Sequence, residues 1–243
     1  MSIKGIKLIT FDVTNTLLNF RMPAWQFYTL IARDHGFIGN EEFVKGRFKD
    51  SYKVMLDKYP NFGRSKITWE EWWTEVIKKT FEGQLPPSAN IFKIADKLIN
   101  EFKTANCWCV APAGVRLLCE LQIQQKTLGV ISNFDPRLNQ ILRSVKLWDN
   151  FDFVLNSYQV GYSKPDKRIF DHALEQCKFL VRPSEALHIG DDVNKDYEGA
   201  KAAGWHAILI SNKYFTEKPP AQRHVFKNLE ELSLKISQNN LQL

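Results

Sequence analysis

With 243 residues, of which 44% are apolar, 13% aromatic and 25% charged, the chain has the material for a substantial core and none of the bias of a disordered segment. Its net charge of +6 suits an anionic ligand, but the basic residues are scattered with no run of five or six, which argues against a nucleic-acid binder. No apolar stretch approaches the roughly 20 residues a membrane span needs.

The amino terminus, MSIKGIKLIT, has lysines interrupting its apolar residues and no small-residue cleavage site, so no secretory leader is expected. The four cysteines, Cys107, Cys109, Cys119 and Cys177, have no metal-ligand or redox-pair spacing. They read as reduced thiols, and the expected setting is the cytoplasm.

In chain order, IKLITFDV (6–13) is an almost unbroken apolar run and predicts a buried strand. Residues 20–106 then carry helical patterns at 23–36, 41–58, 68–80 and 88–104, broken at Gly36 to Asn40, YPNFG (59–63) and PPS (86–88). A crossover between parallel strands needs only about a dozen residues, so this long stretch reads as an inserted helical domain. Strands follow at 127–133, 151–157, 186–190 and 206–211, with helices expected at 113–126, 136–146, 167–178 and 194–203. Residues 217–224 read as a surface loop before a last helix at 228–238. Continuous apolar strands alternating with helices predict an α/β fold, a Rossmann-like doubly wound parallel sheet covered on both faces. The expected domains are an α/β core of 1–19 and 107–243 and a helical insert of 20–106.

Ligands of such sheets bind where the strands end and helix amino termini point. The first strand ends in Asp12, then Thr14, Asn15 and Thr16; the second in Ser132 and Asn133. After the third comes SKPD with Lys164, and the fourth ends in GDDVNKD with Asp191, Asp192 and Asp196. Close carboxylates repel unless a cation lies among them, and hard oxygen ligands suit Mg²⁺. An aspartate in such a place can attack phosphorus and form an aspartyl-phosphate. Lys164, Ser132 and backbone N–H groups after Asp12 would then hold the phosphoryl oxygens.

FDVTNTL, VISN, SKPD and GDDVNKD resemble, in order and at suitable intervals, the four motifs of the haloacid dehalogenase-like (HAD) hydrolase superfamily, and the insert matches the position of its helical C1 cap. YPNFG, EWWTEV, ISNFDPRL, NFDFVLNS and SKPDKRIF are similar to the haloacid dehalogenase-like hydrolase domain-containing 3 subgroup, which includes the insect rhythmically expressed gene 2 proteins. The resemblance implies that Asp12 is the nucleophile and a metal ligand and that Thr14 offers a backbone carbonyl to the metal. It makes Asp191 a direct metal ligand, with Asp192 and Asp196 in the outer shell. Ser132, Asn133 and Lys164 would bind phosphate, Lys164 also steadying Asp12.

Thr14 is the departure. Phosphatases of the superfamily usually carry a second aspartate there, which protonates the leaving oxygen and later activates water. A threonine hydroxyl does neither near neutral pH, and losing such a group costs about 10²–10⁴-fold in rate. The superfamily's ion-pumping ATPases also have threonine at this position, where it prolongs the phosphoenzyme. The expectation is a slow or specialised Mg²⁺-dependent phosphatase of a small phosphorylated metabolite; its rival is a degenerate, non-catalytic binder of metabolite or protein. Oligomeric state is left open.

Blander readings stand beside these. Asp12 could cap a helix, Ser132 and Asn133 could cap the helix near Pro136, and Asp191 and Asp192 could form a turn. His188, inside a strand, reads as a satisfied core histidine. Trp69, Trp72, Trp73 and Phe81 read as the insert's own core, or else as a pocket lining.

Overall fold

The apolar run at 8–11 becomes the central strand of a parallel sheet in a computed structural model that describes residues 3–212 and 220–243. Strand β1 (Leu8–Phe11) is buried at every position, because parallel strands cover it on both edges. After the short strands β2 (Leu18–Phe20) and β3 (Trp108–Val110) come β4 (Thr127–Ser132), β5 (Phe153–Asn156), β6 (Ala186–Gly190), β7 (His206–Ile210) and β8 (Val225–Phe226). Their order in the main sheet is β5-β4-β1-β6-β7-β8, with every pairing parallel. Strand order therefore reverses beside β1, the topological switch at which α/β sheets place ligands.

The chain forms two compact units: Met1–Asn19 with Val110–Asn133 and Lys146–Leu243, and Phe20–Cys109 with Phe134–Val145. In the first, β1 and β4 to β7 alternate with helices, and Leu8, Ile131, Ile169, Phe170 and Tyr197 belong to its core cluster. Gly129 is small for a reason: a Cβ there would lie 2.3 Å from the Phe153 ring on the neighbouring strand.

The second unit is helical, with α1 (Ala24–Arg33), α2 (Glu41–Lys58), α3 (Trp69–Phe81) and α4 (Ile91–Glu101). Thr68 starts α3 with a capping box: its hydroxyl accepts from the Glu71 N–H, and the Glu71 carboxylate accepts from the Thr68 N–H. Trp72 is fully buried and donates to the Met55 and Tyr59 carbonyls, and Phe81 packs edge-on against Phe37, so these two aromatics are core.

Several features differ from expectation. The expected α/β core of 107–243 is corrected at two places, since the contacts of 107–109 and of 134–145 group both with the helical unit. The expected helix at 194–203 begins as a π-helical turn, Val193–Glu198, and is α-helical only from Gly199 to Ala202. Strands β2, β3 and β8 were not expected; each has three residues or fewer, too short to show a period. Of the expected loop at 217–224, residues 217–219 lie outside the described residues. No helix among the described residues is long and apolar enough to cross a membrane.

Candidate active site

Parallel register does the first part of the assembly. Phe11 stands opposite Val130 on one side and Ile189 on the other, so Asp12 leaves β1 at the same edge where β4 reaches Ser132 and β6 reaches Gly190. The Asp12 N–H extends the ladder to the Ile189 carbonyl (2.8 Å), which fixes the nucleophile candidate on the sheet rather than on a loose loop. Ser132 lies beside it, 2% exposed.

Lys164 comes from the loop after β5, and its main chain is gripped by one side chain. The Asn133 amide donates to the Lys164 carbonyl (2.9 Å) and accepts from the Lys164 N–H (2.7 Å). The ammonium, 3% exposed as a residue, donates to Asp12 Oδ1 (2.7 Å), Asp196 Oδ1 (2.6 Å) and the Ile131 carbonyl (2.6 Å). An ammonium has three protons, and these acceptors use all of them.

Asp191 follows β6 just before the π-turn, and Asp196 lies within it. Gly190 permits this, since a Cβ there would lie 2.2 Å from Asp196 Cγ. Asp196 Oδ2 accepts from the Asp192 N–H (2.9 Å), so the carboxylate turns back across its own turn. Asp192 is an N-cap, accepting from the N–H groups of Asn194 and Lys195 and from the Lys195 ammonium. Asp191, half-buried, accepts from the Asn15 amide at 3.2 Å. Asn15 has φ +57°, a left-handed conformation that asparagine tolerates better than most residues. Thr14 is half-buried and bridges to Leu18.

One oxygen each of Asp12, Asp191 and Asp196 lies within 4.8 Å of the others. Two of these carboxylates share the one ammonium, and the third, Asp191, has only the Asn15 amide among the described residues. Burial raises the Asp12 carboxyl above its usual range; Lys164 opposes this, and Asp196 and Asp191 add to it. Asp191 is also raised, first by burial and then by Asp196 and Asp192 against the Asn15 hydrogen bond. Asp196 goes the other way: burial opposes its charge, but Lys164 and His188 hold it ionised. Lys164 stays protonated despite burial because both aspartates face it. The excess negative charge on these hard oxygen donors is what a small divalent cation would relieve, so the residues present fit a divalent metal.

All the strand-end candidates therefore lie in the α/β unit; Asp12, Lys164 and Asp196 meet directly, and Asp191 has an oxygen within 4.8 Å of both carboxylates. The Asn133 amide is used on the Lys164 main chain, and Asp192 stands behind the cluster as a cap. His188 is the satisfied core histidine its place in a strand implies, but its partners belong to this site. Its Nδ1 is 2.8 Å from the Thr10 hydroxyl, directly opposite in the β1–β6 register, and its Nε2 is 3.1 Å from Asp196 Oδ1. The available signal was one polar residue within each of two apolar strands.

The family described as haloacid dehalogenase-like hydrolase matches residues 6–204. The chain is 39% identical to the Rhythmically expressed gene 2 protein of Drosophila melanogaster, with 97% of each covered. It is 36% identical to the Haloacid dehalogenase-like hydrolase domain-containing protein 3 of Mus musculus, over 85% of this chain and 82% of that one. The crystal structure of a 2-haloacid dehalogenase from Pseudomonas syringae pv. Tomato is similar with a TM-score of 0.67 at 26% identity, covering 96% of this chain and 99% of that one.

Proposed function

The chain belongs to the haloacid dehalogenase-like hydrolase family, and within it we propose a Mg²⁺-dependent phosphohydrolase of slow turnover, acting on a small phosphorylated metabolite in the cytoplasm. The observation that carries this reading is the buried Lys164–Asp12 pair in one cluster with Asp191. Asp12, Thr14 through its carbonyl, and Asp191 would hold Mg²⁺, which when bound supplies positive charge between the nucleophile and an incoming phosphate.

The chain's own residues supply the rest. Lys164 takes one Asp12 oxygen, which directs the other toward phosphorus. That oxygen forms a bond to phosphorus as the ester P–O bond breaks, giving an aspartyl-phosphate and an alkoxide or aryloxide. Ser132 and the backbone N–H groups after Asp12 would receive the phosphoryl oxygens, with Asn133 acting through the Lys164 segment it grips. No group at Thr14 protonates the leaving oxygen, so substrates that depart as weak bases are favoured. Water then attacks phosphorus to release phosphate and restore Asp12, unaided by the missing carboxylate.

Displacement of halide from carbon by Asp12 is the reading suggested by the Pseudomonas relative's name. The acidic cluster weighs against it, because that displacement needs no cation. Thr14 favours a second reading, a protein that binds metal and phosphate without turnover.

Phosphate release from an activated aryl phosphate is expected only with Mg²⁺ and is abolished by Asp12→Asn; activity that survives this substitution refutes the assignment. Thr14→Asp should raise turnover about 10²-fold; no gain, with Mg²⁺ and phosphate still bound, selects the binding reading. Halide released from a 2-haloacid in place of phosphate would select the dehalogenase.

A further inference from the structure

Two polar residues stand behind the cluster, shut off from solvent and given no part in binding substrate. Thr10 and His188 are both 0% exposed, on adjacent central strands. The Phe170 ring meets the imidazole edge-on with centroids 5.5 Å apart, which fixes the ring plane. A core needing only volume would fill these positions with valine and leucine, since a polar group buried without partners costs stability.

The bonds identify the tautomer. An ionised Asp196 can only accept, so the His188 nitrogen beside it, Nε2, carries the proton. In a neutral imidazole Nδ1 is then an acceptor, and the Thr10 hydroxyl donates to it. Burial, followed by the nearby Lys164 charge, lowers the His188 pKa to about 4, so the ring is neutral near pH 7. The 3.4 Å between Lys164 Nζ and Nε2 then separates two donors and is a contact without a bond.

We propose that Thr10 and His188 are positioning residues that orient Asp196 so that it holds Lys164 against Asp12 Oδ1, leaving Oδ2 as the oxygen that accepts the phosphoryl group. The inference rests on the phosphohydrolase reading for its last step only. Asp196 Oδ1 receives both the ammonium and the imidazole, while Oδ2 is tied to the Asp192 N–H. Without the imidazole N–H the carboxylate can rotate about its last bond, and the ammonium loses one of its three acceptors. Lys164 would then sample other positions, and Asp12 would present either oxygen.

The test uses the full-length protein and the variants His188→Leu, His188→Gln, Thr10→Val and Thr10→Ser. The first readout is the ¹⁵N-lysine NMR signal of an ammonium protected from exchange, assigned by its loss in Lys164→Met; it requires no turnover. The signal should be present in the wild type, His188→Gln and Thr10→Ser, which keep the donors. It should vanish in His188→Leu and broaden in Thr10→Val, a change of nearly constant volume that keeps the test valid if the leucine variant misfolds. The second readout is hydrolysis of the aryl phosphate with Mg²⁺: kcat should fall about 10-fold or more in His188→Leu at little changed KM and recover in His188→Gln. An unprotected ammonium in the wild type, or an undisturbed one in both His188→Leu and Thr10→Val, overturns the inference. So does a glutamine variant as impaired as leucine, because packing would then be the cause. If no variant or wild type turns over substrate, the phosphohydrolase reading fails, and the ammonium signal alone decides this one.

Discussion

Both units bury an ion pair, and they do so for different ends. In the helical unit Asp135 is 0% exposed and Arg137 5% exposed, two residues apart on one segment. The guanidinium chelates the carboxylate through Nε (2.9 Å) and Nη2 (2.7 Å), and it lies over the Trp73 and Trp69 rings. Trp73 adds an indole N–H to the same carboxylate at 2.8 Å. This pair is local, closed and balanced one to one, and it ties 134–145 to α3. In the α/β unit the single ammonium of Lys164 is shared among carboxylates from two distant segments, with negative charge left over. Geometrically satisfied but electrostatically unbalanced, that cluster is arranged to receive something; the pair beside the tryptophans is arranged to hold something.

Removing the cation from each unit is the strongest way to break this contrast. Lys164→Met strands two buried carboxylates and should cost about 3–5 kcal/mol of stability in denaturant unfolding. Arg137→Met strands one, which still accepts from the Trp73 indole and the Arg137 main-chain N–H, and should cost about 3 kcal/mol. Equal losses would mean that sharing of the ammonium is not what distinguishes the units. The contrast sharpens with double variants: Asp135→Leu with Arg137→Met should recover most of the loss, since a closed pair can be replaced by apolar side chains. Lys164→Met with Asp196→Leu should not recover it, because Asp12 remains buried and unpaired.

A smaller effect probes the aromatic side of the closed pair. Trp73→Phe keeps the ring face under Arg137 and removes only the N–H to Asp135, for an expected loss of about 1.5–3 kcal/mol. Least of all, Thr68→Ala removes the α3 cap and should cost about 1 kcal/mol, with no change in binding of Mg²⁺ or inorganic phosphate. A Thr68→Ala variant that weakened those ligands would show that α3 and the strand-end cluster are not independent.

The strand-end residues were legible because each follows a recognisable apolar run, and in a parallel sheet all such runs end on one side. Asp12, Ser132, Lys164 and Asp191 could be found that way. His188 could not be assigned, because one polar residue in a strand looks alike whether its partner is a loop carbonyl or a carboxylate. A helix is expected from 136 and one forms over Leu138–Ser144, but nothing local indicates that Asp135 meets a tryptophan more than sixty residues earlier. The π-turn at 193–198 was hidden for a similar reason: its residues have ordinary helical spacing, and the wider turn shows only in the hydrogen bonds, such as Tyr197 N–H to the Asp192 carbonyl.

By itself the amino-acid order determined the alternation of strand and helix, the place of the helical insert, and the residue types at the strand ends. These follow from hydrophobic period and turn chemistry, which act over a few neighbours. Only the tertiary structure decided which carboxylates the lysine holds, which histidine nitrogen carries the proton and which segment groups with the helical unit. Those choices depend on β1 and β6 lying side by side with Thr10 opposite His188, a juxtaposition of residues 178 positions apart that no local pattern encodes.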